Sequence, residues 1–163
     1  MDRDKNARAT ASQYFVAGEL CRRGYTAMVT LGNTPNTDIL CSNQAGTRFV
    51  HIQVKSFVPG TRSCSVGSKA EREFGAGYFW VLAGIPAPGI EHPFQFFVIP
   101  SHDMAANLKA LHMGWLAMPG KDGLPHHDNT LRAVSIPPHK SRQFWNIDRY
   151  QDRWDLIGAA LDG

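Results

Sequence analysis

Apolar residues at Val16, Ala17, Leu20 and Cys21 recur at the spacing of one helical face, and Gly24 follows where a left-handed cap ends such a helix. The pattern predicts a helix from about Thr10 to Arg23, with Thr10 and Gln13 at capping-box spacing. Three strand-like runs follow. Tyr25 to Leu31 is rich in strand formers and stops at the turn-prone Gly32-Asn33-Thr34-Pro35-Asn36; Asp38 to Ser42 is short; Asn43 to Gly46 reads as a hairpin turn into Arg48 to Phe57. That last run alternates, so Val50, Ile52 and Val54 face one way while Phe49, His51, Gln53 and Lys55 face the other.

Further along, Val58 to Lys69 is rich in Pro, Gly, Ser and Thr, and is expected to be a mobile loop carrying Arg62 and Lys69. Glu71 to Gly75 suits a short helical turn. Tyr78 to Ile85 and Phe94 to Ile99 read as buried strands around the Pro-rich turn Pro86 to Pro93. Ser101 has the chemistry of an N-cap for a helix from His102 to about Met113, with Asp103 favourably set against its dipole. Residues 117–143, rich in Pro and His, are expected to form an irregular insertion. A final helix is expected from Arg149 to Leu161, with Tyr150, Trp154, Ile157 and Leu161 on one face. No repeat or linker divides the 163 residues. The element order implies an α/β chain forming one domain, a mixed sheet of about five strands flanked by helices.

Composition narrows the function classes. At 43% hydrophobic and 19% charged residues, the chain is neither a disordered tail nor a fibre. No apolar run is long enough to span a membrane. The polar start Met1-Asp2-Arg3-Asp4 has no apolar segment after it, so a secretory signal is not expected and the cytoplasm is the expected compartment. Three well-separated cysteines, Cys21, Cys41 and Cys64, suggest neither a disulfide framework nor a zinc site. The net charge of +3 is modest, yet no carboxylate lies between Asp38 and Glu71 while Arg48, Lys55, Arg62 and Lys69 do. Such an acid-free basic stretch is suited to meeting phosphate.

The chemistry-bearing cluster is Glu19, Asp38, Gln53 and Lys55. Gln53 and Lys55 share a strand face, and a short preceding strand can bring Asp38 beside them. A carboxylate and an amide oxygen suit a hard cation such as Mg2+. A lysine beside it can orient an attacking water and offset charge on a phosphate.

In Ala17-Gly18-Glu19-Leu20, Asn36-Thr37-Asp38-Ile39-Leu40 and His51-Ile52-Gln53-Val54-Lys55-Ser56, taken in that order, the chain resembles the PD-(D/E)xK nuclease superfamily, which includes restriction enzymes and Holliday-junction resolvases. The motifs lie within residues 12–57, and element order extends the likeness to Ile99. The resemblance implies a restriction-endonuclease-like core of αβββαβ order and a metal-dependent DNA endonuclease. Asp38 would bind Mg2+ (or Mn2+ in its place), Gln53 would fill the second acidic position, Lys55 would be the catalytic lysine, and Glu19 the helix-borne acid that completes the metal site. Arg48, Arg62 and Lys69 would contact DNA. Many such enzymes work as dimers, so the implied partners are DNA and a second copy of the chain, with no membrane and no organic cofactor.

Two positions depart from the motif: Thr37 replaces proline, and Gln53 replaces Asp or Glu as in the QxK members of the superfamily. The lost carboxylate leaves a second reading open, a catalytically inactive module that binds nucleic acid or a protein. Glu19 and Arg23, four apart, also have the spacing of an exposed helical ion pair. His126-His127-Asp128 has no partner at metal-site spacing, Cys64 no histidine placed to activate it, and His51 shares the Gln53 face. Trp115 and Trp145 can stack on bases, whereas Trp154 sits in an apolar helical stripe.

Overall fold

The computed structural model describes residues 2–32 and 34–163, so Asn33, within the expected turn at 32–36, lies outside the described residues, as does Met1. Helix α1 runs over Asp2–Arg22. It does not begin at Thr10, because Lys5, Ala7, Arg8 and Ala9 are good helix formers that carry the helix through the capping-box position. Its end is where the pattern placed it. Gly24 has φ 93°, and the Gly24 N–H donates to Cys21 O at 2.9 Å while the Tyr25 N–H reaches Leu20 O at 3.1 Å. This pair of bonds is the Schellman arrangement, which a left-handed glycine permits. Val16, Ala17 and Leu20 are buried, while Cys21 is exposed.

The five strands of the main sheet are β1 (Thr26–Val29), β2 (Ile39–Ser42), β3 (Phe49–Phe57), β5 (Tyr78–Gly84) and β6 (Gln95–Pro100), in the spatial order β1-β2-β3-β5-β6. The β3–β5 pair is parallel, with Gln53 opposite Trp80 and Lys55 opposite Leu82; the other pairs are antiparallel. The mixed α/β sheet expected from the element order is therefore present.

Each sheet face has its own core. On one, Val16 and Leu20 of α1 pack with Val50, Ile52 and Val54 of β3 and with Trp154, Ile157 and Leu161. On the other, Tyr78, Trp80 and Leu82 of β5 pack with Met104 and Leu108 of α2 (Ser101–Ala117). Every residue of β5 is buried, as a strand covered on both faces requires.

Three expectations fail for the same reason, a tertiary contact overriding a local pattern. Residues 58–69 are not a free loop: β4 (Ser63–Ser65) pairs antiparallel with β7 (Ala133–Ser135), from the stretch expected to be irregular, and buries Cys64 against Val134 and Ile136. Ser101 does not cap α2, whose N-cap is Pro100; its Oγ instead accepts the Phe74 N–H at 2.8 Å, and the helix runs past Met113 to Ala117. The last helix is broken into a 3-10 turn, Asp148–Tyr150, and α3, Asp155–Asp162. Between them Gln151 bridges to Phe97, and the Asp152 N–H donates to Phe96 O at 2.9 Å, covering the edge of β6. Among the described residues no helix is long and apolar enough to cross a membrane.

Candidate active site

Asp38 stands immediately before β2, and its position is set by backbone bonds on both sides. Its N–H donates to Ile52 O at 2.9 Å, and its C=O accepts the Thr30 N–H at 2.9 Å. The Thr30 hydroxyl adds a 2.7 Å bond to Thr37 O, and the Tyr78 hydroxyl, from β5, donates to Asn36 O at 2.5 Å. Asn36 takes a left-handed φ of 59°, which its short amide side chain tolerates, and so turns the chain into β2. Three strands thus hold one carboxylate.

The Asp38 side chain leans over β3. Its Oδ2 accepts the Val54 N–H at 2.7 Å and a further hydrogen bond from Gln53 Nε2. Oδ1 accepts none among the described residues. Burial raises the carboxyl above the ordinary aspartate range, against the opposing pull of the Val54 N–H, the Lys55 charge and the Gln53 amide. Gln53 and Lys55 project on the same face, as the alternation of β3 predicted.

Asp38, Gln53 and Lys55 open into a cleft of about 750 Å³. Thr34, Asn36, Gly67 to Lys69 and the aromatic residues Phe74, Tyr78 and Trp80 also line it. Phe74 and Tyr78 are stacked with ring centroids 4.4 Å apart. Burial, followed by the Asp38 charge, raises the Tyr78 phenol well above its usual range, so it remains a hydroxyl donor.

Of the residues singled out in the sequence, Asp38, Gln53, Lys55 and Lys69 meet in this cleft. Glu19 does not line it. Helix α1 packs on the Val50, Ile52 and Val54 side of the sheet, opposite the face that carries Gln53 and Lys55. There Glu19 binds Arg23 Nε at 2.7 Å and Arg22 through two bonds of 2.8 Å, and hydrogen bonding to Arg22 comes first among the influences that lower its pKa. The helical ion-pair spacing describes its position. Arg48 packs against Gly163, and Arg62 is exposed beside β4; neither lines the cleft.

His51 is also outside the cleft, its Nδ1 3.1 Å from Thr37 Oγ1. Cys64 is buried, and the loss of solvation pushes its thiol up to about 12, which suits a packed residue rather than a nucleophile. Asp128 pairs with His112 at 2.7 Å, and among the described residues no group of three or more His, Cys, Asp and Glu side chains converges as a metal site would need.

Tyr78 and Trp80 are the site residues that the sequence reading missed. They lie in the strand read simply as buried, and the available signal was a pair of polar-tipped rings in an otherwise apolar run, placed on the Gln53 face by the parallel register. The Trp80 Nε1 is buried and has no hydrogen-bond partner among the described residues.

No protein-family model matches the chain, and no curated protein sequence does. The fold is similar to the solved structure of a bacterial homing endonuclease, with a TM-score of 0.53 and 15% sequence identity over 94% of this chain and 91% of that one. The likeness thus extends over nearly the whole of both chains and concerns the arrangement of elements.

Proposed function

We propose that the protein is a nuclease that hydrolyses phosphodiester bonds of DNA, using a divalent cation held at Asp38 and assisted by Lys55, in the manner of a QxK member of the PD-(D/E)xK superfamily. The observation that carries this reading is the meeting of Asp38, immediately before β2, with Gln53 and Lys55 of β3 in one open cleft whose rim carries Lys69. The overall likeness to a homing endonuclease supports it.

The donor set fits a hard cation. Asp38 Oδ1 accepts no hydrogen bond among the described residues, and Gln53 supplies a neutral amide beside it. One carboxylate and one amide suit Mg2+, or Mn2+ in its place, which keeps several waters and takes oxygen ligands. When bound, such an ion polarises the phosphate and acidifies a coordinated water. Lys55 holds its ammonium beside Asp38, where it lowers the carboxyl pKa and offers a donor to a phosphate oxygen. Lys69 faces the backbone of the nucleic acid as a point charge. Glu19, on the far side of the sheet, has no part in this arrangement.

The test is nicking of supercoiled DNA by the wild type, Asp38→Ala and Lys55→Ala, with and without chelator. Loss of cleavage in both variants and on chelation is expected. Equal activity in all three proteins would sink the reading.

One observation favours a second reading, a nucleic-acid-binding module without catalysis: the Gln53 amide is hydrogen-bonded to Asp38 where the motif would have a second carboxylate. If Mn2+ neither raises the melting temperature nor supports cleavage while DNA still binds, this second reading holds.

A further inference from the structure

Residues 129–133 form a wall shared by two cavities. Thr130 lines the cleft of Asp38, while Asn129, Leu131, Arg132 and Ala133 line a second cavity of about 540 Å³ behind it. The second cavity is built around Trp115, near the end of α2. His112 stacks near Trp115 with a centroid separation of 5.6 Å and an interplanar angle of 21°; His126 does so at 4.0 Å and 19°. Trp115 thus stacks with both histidines, an aromatic cluster against which a further flat ring can stack.

The rest of the lining is largely apolar, with Leu108, Leu111, Met118 and Leu131, and its polar part is cationic and amide in character. Lys121, Arg132 and Arg142 reach the cavity, and no carboxylate lines it. Arg132 is held by Glu71, but Lys121 and Arg142 form no ion pair among the described residues. Gln143 Oε1 is buried without a hydrogen-bond partner among the described residues, while its Nε2 reaches only Met118 Sδ at 3.6 Å. That amide lies over Gly114, where a Cβ would approach it to 2.7 Å, so the glycine is what admits it. A buried amide oxygen with no donor is costly unless a ligand supplies one.

We propose that this cavity binds one nucleotide. Its base stacks against the Trp115 and His126 rings, the Gln143 side chain rotates to bring its occluded amide oxygen to a base amino group, and its phosphate meets Arg142 and Lys121. Its volume is ample for that occupant. The wall shared with the cleft makes an unpaired nucleotide of the nucleic-acid substrate the natural source; a free nucleotide has the same chemistry. Only the choice of source rests on the nuclease reading.

The experiment uses the full chain in chelator, so that nothing is cleaved. The probes are dAMP, deoxyribose 5-phosphate, a short single-stranded oligonucleotide and its duplex. Binding is measured by calorimetry and by the indole N–H resonance of Trp115, assigned with Trp115→Phe. Wild type is expected to bind dAMP and the single strand with a shift of that resonance, and to bind the base-free sugar phosphate far more weakly.

Trp115→Ala should weaken binding about tenfold or more, as loss of one stacked base predicts. Arg142→Gln and Gln143→Ala, checked for an unchanged melting temperature, should also weaken it. A single strand that binds much more tightly than dAMP identifies nucleic acid as the source; dAMP binding as tightly or more so identifies a free nucleotide. The proposal is overturned if neither probe moves the Trp115 resonance, or if all three variants bind as wild type does. The nicking assay reads Asp38 and Lys55 in the other cavity and fails or succeeds independently of dAMP binding, so loss of the nuclease reading and loss of this site give different results.

Discussion

The two faces of the central sheet are packed differently, and strand β3 contributes to both. Val50, Ile52 and Val54 go to the face closed by α1 and α3, where the core is continuous and apolar. Gln53 and Lys55 go to the face shared by α2 and the β4–β7 ribbon, where the packing parts to leave a cleft. A strand with period two can hold the fold with one set of side chains and present chemistry with the other. The position of a residue in the motif is therefore no guide to its role unless its face is known. Glu19 has the motif spacing and lies on the closed side.

The strongest way to sharpen this comparison is to remove the cleft carboxylate. Asp38→Ala should lower DNA cleavage on the order of 10³-fold or more while far-UV circular dichroism stays native. Lys55→Ala is next, with a loss of about 10²–10³-fold. A fall of that size in Glu19→Gln would break the assignment of faces.

On the closed side the same kind of truncation should act on stability instead. Leu20→Ala is expected to cost about 2–5 kcal/mol by denaturant unfolding, the range for a fully buried leucine. Residual native protein should keep its turnover. A selective loss of turnover without loss of stability would show that the two faces are not separable in this way.

A smaller effect follows from the raised pKa of Asp38. Its ionised form is disfavoured in the folded chain relative to the unfolded one, so the stability linked to its proton is fully present at low pH and lost as pH rises through the carboxylate range. In metal-free buffer Asp38→Asn should melt above wild type at neutral pH, and the difference should shrink towards acid pH. A difference independent of pH would contradict the burial account. Least of all, Glu19→Gln should change stability by no more than about 1 kcal/mol and leave cleavage within a few-fold, since its ion pairs with Arg22 and Arg23 lie at the surface.

Much of the site was legible from spacing. Alternation along 49–57 placed Gln53 and Lys55 together, and the short strand after Asp38 allowed it to reach them. The ends of α1 and α2 were not equally readable. Gly24 announces its cap through a backbone conformation that few other residues adopt, whereas Ser101 has cap chemistry that a distant N–H, that of Phe74, takes instead. The strands at 63–65 and 133–135 are too short to show a period, and each becomes a strand only because the other is there.

The sequence by itself determined the types of the main-sheet strands and of α1 and α2, the helix stop at Gly24 and the common face of Gln53 and Lys55, because these depend on periods of two or 3.6 residues and on single-residue backbone preferences. The tertiary structure alone decided that Asp38 is drawn onto β3, that Glu19 is turned to the opposite side, and that the 117–143 region closes a second cavity around Trp115. Those outcomes depend on which side of the sheet each helix packs and on pairings between distant segments, whose free energy comes from burial shared by residues far apart in the chain.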